Sequence, residues 1–255
     1  MAGFPIIIGS SGGYWTPAAI STASWWDAAD ASTITLNGTT VSQWSDKSGN
    51  GRHMVQASSS FQPTYGVTSF TLPSVNFGDK FMTSAAISGS MADWSIYGVN
   101  KQTEVSPPSN DAIMSSNSGA AGTFQVSSGG TTLNLSCTQD TSGTFFGYQL
   151  DASIGTNFRI IGIEAGTAGT TGYLNGTQAG TNTGTIRNTA TTGFKLNQNR
   201  LGGLYLQSDH AEWIVLASVP STATRQLIEG YLAWKWGLVS LLPATHPYKN
   251  ARPKA

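Results

Sequence analysis

Ser221–Tyr248 reads STATRQLIEGYLAWKWGLVSLLPATHPY, the one convincing helical pattern in the chain. Ser221 follows Pro220 and suits an N-cap, its hydroxyl accepting from a free backbone N–H of the first turn. Leu227, Tyr231, Trp234 and Leu238 recur at helical spacing, and Ile228 and Leu232 widen the stripe. Gly237 suits a left-handed C-terminal cap, and Pro243 and Pro247 forbid continuation. Everything upstream reads as short strands and turns. A lone amphipathic helix in a β protein must bury its apolar face. Its expected partner is the strand just before it, at 210–218, with the sheet around that strand.

The upstream strands show themselves by alternation and turn residues. Asn37-Gly38 predicts a two-residue hairpin turn, and Val41–Trp44 alternates as a half-buried strand. Residues 46–51, DKSGNG, form a tight polar loop. Trp94–Val99 reads as a core strand, and 101–118, with Pro107-Pro108, as a loop. Phe124 and Val126 share a face; so do Leu133, Leu135 and Cys137, then Phe146, Tyr148 and Leu150. Phe158–Ile163 is continuously apolar, as a central strand should be. The low-complexity stretch 165–192 holds one short strand and turn at 172–176 and otherwise reads as a polar edge loop. Phe194–Leu196, Leu204–Leu206 and Trp213–Leu216 supply the last strands. About a dozen short strands with turn signals indicate a sandwich or barrel. The helix argues for an all-β sandwich with one end or face capped by it. We expect an arm at 1–16, one domain over 17–248 and a basic tail at 249–255.

Charged residues make up 10% of the chain, 13 basic and 13 acidic, so the net charge is zero. Long-range attraction to nucleic acid or anionic membrane is not expected. The single cysteine, Cys137, allows no intrachain disulfide. No stretch approaches the ~20 apolar residues of a membrane span. The opening MAGFPIIIGSSGG has no basic residue ahead of its short apolar run, so a secretory signal is not expected. Within it, Phe4-Pro5-Ile6-Ile7-Ile8 is either a disordered leader or a strand that docks on a neighbouring subunit.

Several motifs together carry a family resemblance. They are Trp26-Asp27-Ala28-Ala29-Asp30, the segment Val41 through Gly51, Glu229 through Leu238, and Leu242 through Tyr248. In these the chain resembles the concanavalin A-like lectin/glucanase superfamily. More narrowly, it resembles the laminin-G-like jelly-roll domains of bacteriophage structural proteins and some bacterial surface proteins. It departs from them at Phe77-Gly78-Asp79, where a Phe-Asp-Gly is common. The resemblance spans roughly residues 17–248 and implies the fold; the family has no single activity.

Enzymatic chemistry finds little footing. Glycoside hydrolysis needs two carboxylates across the scissile bond, and the strand pattern of the related glucanases, Glu-x-Asp-x-Glu, is absent. Asp27 and Asp30 fall in a turn-like opening motif. Asp209 and Glu212 are three apart, which on a regular strand sets them on opposite faces. Gly9-Ser10-Ser11-Gly12-Gly13 matches a nucleophile elbow only in letters, since no helix follows. His53, His210 and His246 lack metal-ligand spacing, and no phosphate or dinucleotide loop is present. The resemblance implies one possible cofactor, Ca²⁺, held through Asp46 and Asn50; the competing reading is a tight turn in which Asp46 caps backbone N–H groups. Sugar binding needs aromatic faces beside amides, and the aromatics outside the core pattern are Trp15, Tyr65, Tyr173 and Tyr205. The other tryptophans, Trp234 included, fall to the sandwich and helix seam. Asn-x-Ser/Thr sites at Asn37, Asn134 and Asn175 are expected by chance in a Thr-rich chain.

The sequence thus reads as a non-enzymatic virion surface protein of a bacteriophage, on head or tail, assembled in the host cytoplasm. Its expected partners are other virion proteins, engaged through the arm, further copies of itself, a trimer among the options, and host glycans. The competing readings are a carbohydrate-binding adhesin, a glycan hydrolase and a structural cement without a ligand.

Overall fold

The computed structural model describes residues 13–67, 69–86, 93–117, 122–138, 145–185 and 193–255. Two antiparallel sheets lie face to face. The smaller runs β1 (Ser24–Asp27), β17 (Ser208–Leu216), β8 (Trp94–Gln102), β13 (Phe158–Gly166), β14 (Gly169–Leu174), β15 (Thr177–Asn182). The larger begins β2 (Ile34–Asn37), β3 (Thr40–Trp44), β4 (Met54–Val55), β7 (Met82–Ser84) and β16 (Phe194–Leu196). It continues through β9 (Ala112–Ser116), β10 (Phe124–Ser128), β11 (Leu133–Thr138) and β12 (Phe145–Asp151). β5 (Thr64–Val67) and β6 (Ser74–Asn76) bridge from β3 to β17 and join the sheets. This is the expected all-β sandwich with one α-helix near the C-terminus among the described residues.

Aromatic rings fill the space between the sheets. Trp94 from β8 lies 5.1 Å from Phe124 and 6.0 Å from Phe194 of the larger sheet, and Trp26 meets Phe194 at 6.5 Å. Beside them Trp213 covers Gly98, where a Cβ would fall 2.1 Å from the indole. Only glycine lets that ring lie flat on the strand. His210 is buried in the same layer. Its Nδ1 accepts from Trp213 Nε1 at 3.0 Å, so Nε2 carries the proton and donates to Ser208 Oγ at 2.9 Å. Ser208 in turn donates to Asn197 Oδ1, and Asn197 Nδ2 donates to the carbonyls of Gly78 and Lys80. Every polar atom of that chain is used. Burial pushes the His210 pKa down to about 3.

The helix α1 (Thr222–Lys235) covers the outer face of the smaller sheet. Ser221 caps it, Oγ accepting from Thr224 N at 3.2 Å. Gly237 follows its end at φ +73°, and Leu238 N reaches back to the Ala233 carbonyl. The buried face is Arg225, Ile228, Glu229, Tyr231, Leu232 and Ala233, which corrects the expected stripe: Trp234 is 36% exposed. Polar contacts replace part of that stripe. Glu212 on β17 is buried and accepts from four donors: Trp25 Nε1 (2.7 Å), Tyr231 Oη (2.9 Å), Trp236 Nε1 (2.8 Å) and Lys235 Nζ (2.7 Å). Lys235 also reaches Asp27 at 2.6 Å, and Lys47 bridges Asp27 to Asp30.

The closing motif is explained by helix and tail locking together. Glu229 takes Arg225 on one side and His246 Nε2, at 3.2 Å, on the other. Tyr248 lies on Gly230, where a Cβ would come within 2.6 Å of its own Cβ, and Trp234 Nε1 donates to the Tyr248 carbonyl. Gly230→Ala should therefore lift the tail off the helix. A loss of about 2 kcal/mol in urea unfolding is expected, of the order of an overpacked core site, although alanine is the better helix former.

Several local expectations are corrected. Of the opening motif, Asp27 ends strand β1, and the expected turn follows at 28–29 ahead of Asp30. Within 101–118, Ala112–Ser116 is strand β9, with all five residues buried. The polar loop expected over 165–192 contains the hairpin β14–β15; 186–192 lie outside the described residues. Leu204–Leu206 makes only a single bridge, Ala112 to Tyr205. A bulge at Ala211 puts Asp209 opposite Lys101 and Glu212 opposite Val99, on one face and not two. The tail at 249–255 is docked: Lys249 caps three carbonyls, and Ala255 N and the Pro253 carbonyl pair with Gly13 and Trp15. The arm's sticky segment, Phe4–Ile8, and the Gly9–Gly12 part of the elbow-like match lie outside the described residues.

Candidate functional site

Sheet register places one residue from each strand of the larger sheet in a straight row on its outer face. Thr35, Gln43, Val55 and Thr83 stand side by side, and Thr83 is opposite Lys195. Beyond Lys195 the row continues through Ser115, Gln125, Ser136 and Gly147. Each alternates with a core residue on its own strand, such as Met54, Met82, Phe194, Phe124 or Leu135. A face buried on one side and polar on the other is what antiparallel pairing permits.

At the β2–β4 end this face opens into a groove of about 450 Å³, lined by Thr35, Asn37, Ser42, Gln43, Gln56 and Gln62 with Val55 and Ala57. The amides are held by one another. Gln62 Oε1 accepts from Asn37 Nδ2 at 3.2 Å and Thr40 Oγ1 at 2.8 Å, and its Nε2 donates to the Gln56 carbonyl at 2.7 Å. Gln56 Nε2 donates to the Phe81 carbonyl at 3.0 Å. The two-residue hairpin turn is Gly38-Thr39, one residue later than expected, with Gly38 at φ +65° and Asn37 paired with Thr40 at its base, at the rim of the groove. Next to the groove runs an aromatic ridge. Phe61, 41% exposed, meets Phe81 at 5.6 Å, and Phe81 stacks on Tyr205 at 6.1 Å and 25°. Across the ridge a hollow of about 360 Å³ lies between Gln125, Ser136, Asn110 and the loop at 199–204. The loop roofs the middle of the row, where Ser115 Oγ donates to the Gln198 carbonyl.

Neutral amides and hydroxyls beside aromatic rings form the donor, acceptor and apolar-face set that a sugar presents in return. The first groove has no carboxylate in its lining. A different cleft, about 430 Å³, lies at the end of α1 among Phe70, Phe158, Trp236, Leu238 and Leu241. Its mainly apolar walls offer far fewer polar groups to a saccharide.

The four aromatics expected from sequence are not brought together. Trp15 is 6% exposed and packs edge-on against Tyr231 at 5.9 Å, which corrects its place among sugar contacts: protein covers its ring. Tyr65 is half-buried with its hydroxyl on the Ala28 carbonyl. Tyr173 lies under the Arg225 guanidinium, 4.1 Å from its ring centre, and bonds Glu164. Tyr205 alone joins the ridge, its hydroxyl accepting from Gln198 Nε2 at 3.3 Å. Missed were Phe61, Phe81 and the glutamines. The signal was present as polar positions within alternating strands, but only the register lines them up.

The calcium expectation at Asp46 and Asn50 is likewise corrected. Both Asp46 oxygens already hold donors: Trp25 N and Ser48 N on one, Ser48 Oγ and Arg52 N on the other, all within 3.0 Å. Asn50 Nδ2 donates to the Thr22 and Ala23 carbonyls. These residues fit an anion-centred clamp on β1, not a cation. Among the described residues no group of three or more His, Cys, Asp or Glu is placed to hold a metal ion. Asp46→Ala should cost about 2–3 kcal/mol by leaving buried N–H groups unpaired. Wild-type melting should be the same in calcium and in chelator; a calcium-dependent rise would contradict the clamp.

No family model and no curated protein matches the sequence. Solved structures do match its fold. The receptor-binding domain of botulinum neurotoxin type G superposes with TM-score 0.61 at 11% identity, over 85% of this chain and 52% of that one. The binding domain of botulinum neurotoxin DC, determined with rat synaptotagmin II, gives 0.54 at 12% identity, over 83% and 52%. A Trypanosoma rangeli sialidase, determined with 2,3-difluorosialic acid, gives 0.57 at 9% identity, over 84% and 33%. The chain thus spans about half of the neurotoxin domains and a third of the sialidase, and what it shares with them is a β-sandwich fold.

Proposed function

We propose that this chain is a non-enzymatic carbohydrate-recognition module that binds glycan on the outer face of its larger sheet. The observation that carries the reading is the uncharged groove of Thr35, Gln43, Gln56 and Gln62 beside the exposed ring of Phe61. Gln56 and Gln62 are buried and bonded within the protein, and they brace the wall so that the more open Thr35 and Gln43 lose little entropy in bonding sugar hydroxyls. The similar folds, seen with a protein receptor and with a sialic acid derivative, are compatible with recognition. The non-enzymatic part rests on the groove itself, whose lining holds no carboxylate, while Glu212 holds four donors and Glu164 accepts from Tyr97 and Tyr173 elsewhere in the fold. The setting implied by the motif resemblance is the surface of a bacteriophage particle, assembled in the host cytoplasm, with host surface glycan as target and neighbouring virion proteins or further copies of this chain as support.

The test is a glycan array followed by calorimetry on the best ligand. Phe61→Ala and Gln43→Ala should each weaken binding about tenfold, roughly 1.4 kcal/mol, with melting unchanged and the glycan recovered intact. Absence of saturable binding across the array would sink the proposal.

A further inference from the structure

Lys195 is the one charged residue in the row that crosses the larger sheet. It stands at the centre, between Thr83 and Ser115, with uncharged neighbours on both sides. Its ammonium makes one long hydrogen bond, 3.4 Å, to the Arg200 carbonyl, and no carboxylate pairs with it among the described residues. Lys47 and Lys235, also half-buried, each sit on carboxylates at 2.6–2.9 Å, Lys249 donates to three carbonyls, and Lys101 lies over the Phe158 ring. Burial without a compensating anion pushes the Lys195 pKa down. A solvated lysine would serve solubility at the sheet edge, but this one is held mid-sheet beside the 199–204 loop. Along the row it stands between the neutral groove and the second hollow, whose lining includes Arg200.

Resting on the carbohydrate reading above, we infer that the bound glycan is acidic. Uncharged sugar units fill the groove at Gln43 and Gln62, and an anionic substituent of a neighbouring unit pairs with Lys195. The ammonium is a point charge without the fork of a guanidinium, so carboxylate and sulfate esters both satisfy it. The charge would add most where water is partly excluded, and its contribution would fall as salt rises.

The test uses the full chain with matched oligosaccharides: polygalacturonate fragments against their carboxyl-reduced forms, and sulfated against plain dextran fragments. Wild-type protein should prefer the acidic member of at least one pair tenfold or more at low salt, with the preference shrinking at 0.5 M salt. Lys195→Met and Lys195→Gln should bring that ratio to about one, and Lys195→Arg should keep most of it. Circular dichroism melting of each variant checks folding. A wild-type ratio near one while reduced forms still bind would overturn the acidic assignment and leave the recognition face standing. A ratio untouched by Lys195→Met would overturn it too, as would polyglutamate binding as tightly as the acidic saccharide, since charge alone would then be read. Failure of every saccharide to bind would remove both proposals together.

Discussion

Glu212→Leu should unfold in urea with about 3–5 kcal/mol less stability than wild type. Glu212 is the anion around which four donors from two segments converge: Trp25 on β1, Tyr231 and Lys235 on α1, and Trp236 at the helix end. Removing it leaves the Lys235 ammonium on Asp27 and the Tyr231 hydroxyl, and strands two indole N–H groups and the hydroxyl proton. Breaking a buried pair from one side costs that much, because the remaining charge and donors keep their desolvation penalty. Lys235→Met together with Glu212→Leu should recover part of the loss, since the stranded charge goes too. A single-mutant cost below 1 kcal/mol would mean that helix packing, not this carboxylate, anchors α1.

Acid should destabilise the protein through His210 more steeply than its few charges suggest. The folded-state pKa lies near 3, against ~6.5 in an unfolded chain. Above pH 6.5 both states are neutral and His210 makes no difference. As pH falls from 6.5 toward 3, only the unfolded state takes the proton, so stability drops by about 1.4 kcal/mol per pH unit, roughly 3 kcal/mol by pH 4. The groups around the ring are uncharged: Phe77 at 4.6 Å, Trp213 and Ser208. Comparing wild type with His210→Asn at each pH cancels the carboxylates common to both. The difference should grow in the variant's favour as pH falls, and a flat difference would show that the imidazole titrates freely. Direct NMR titration of the imidazole should give no protonation above pH 5.

Much of the fold was legible in the sequence, for identifiable reasons. Ser221, Gly237 and the prolines mark the helix ends because capping is local chemistry. Alternation in Phe124–Val126 and Leu133–Cys137 marks the core faces because the strand period is two. What failed was non-local. The bulge at Ala211, which brings Asp209 and Glu212 to one face, has no sequence mark. Trp234 followed the stripe, yet its indole lies at the surface on the Tyr248 carbonyl, because Arg225 and Glu229 took the buried side through partners on β13 and in the tail. The family-like motifs proved to be joinery: Asp46 clamps β1, Lys235 meets Asp27, and Tyr248 seats on Gly230. They report fold and are spent on it. The candidate site is built from unremarkable Gln, Thr and Ser positions on separate strands, so only Tyr205 was singled out beforehand.

Amide hydrogen exchange, with and without a saturating oligosaccharide taken from the array, tests the recognition face most directly. Protection should appear at 35–44, 55–62 and 81–84, the strands and turn that frame the groove and ridge. Protection confined to 69–71 and 236–241, around the apolar cleft, or to the loop at 46–51, would contradict the assignment.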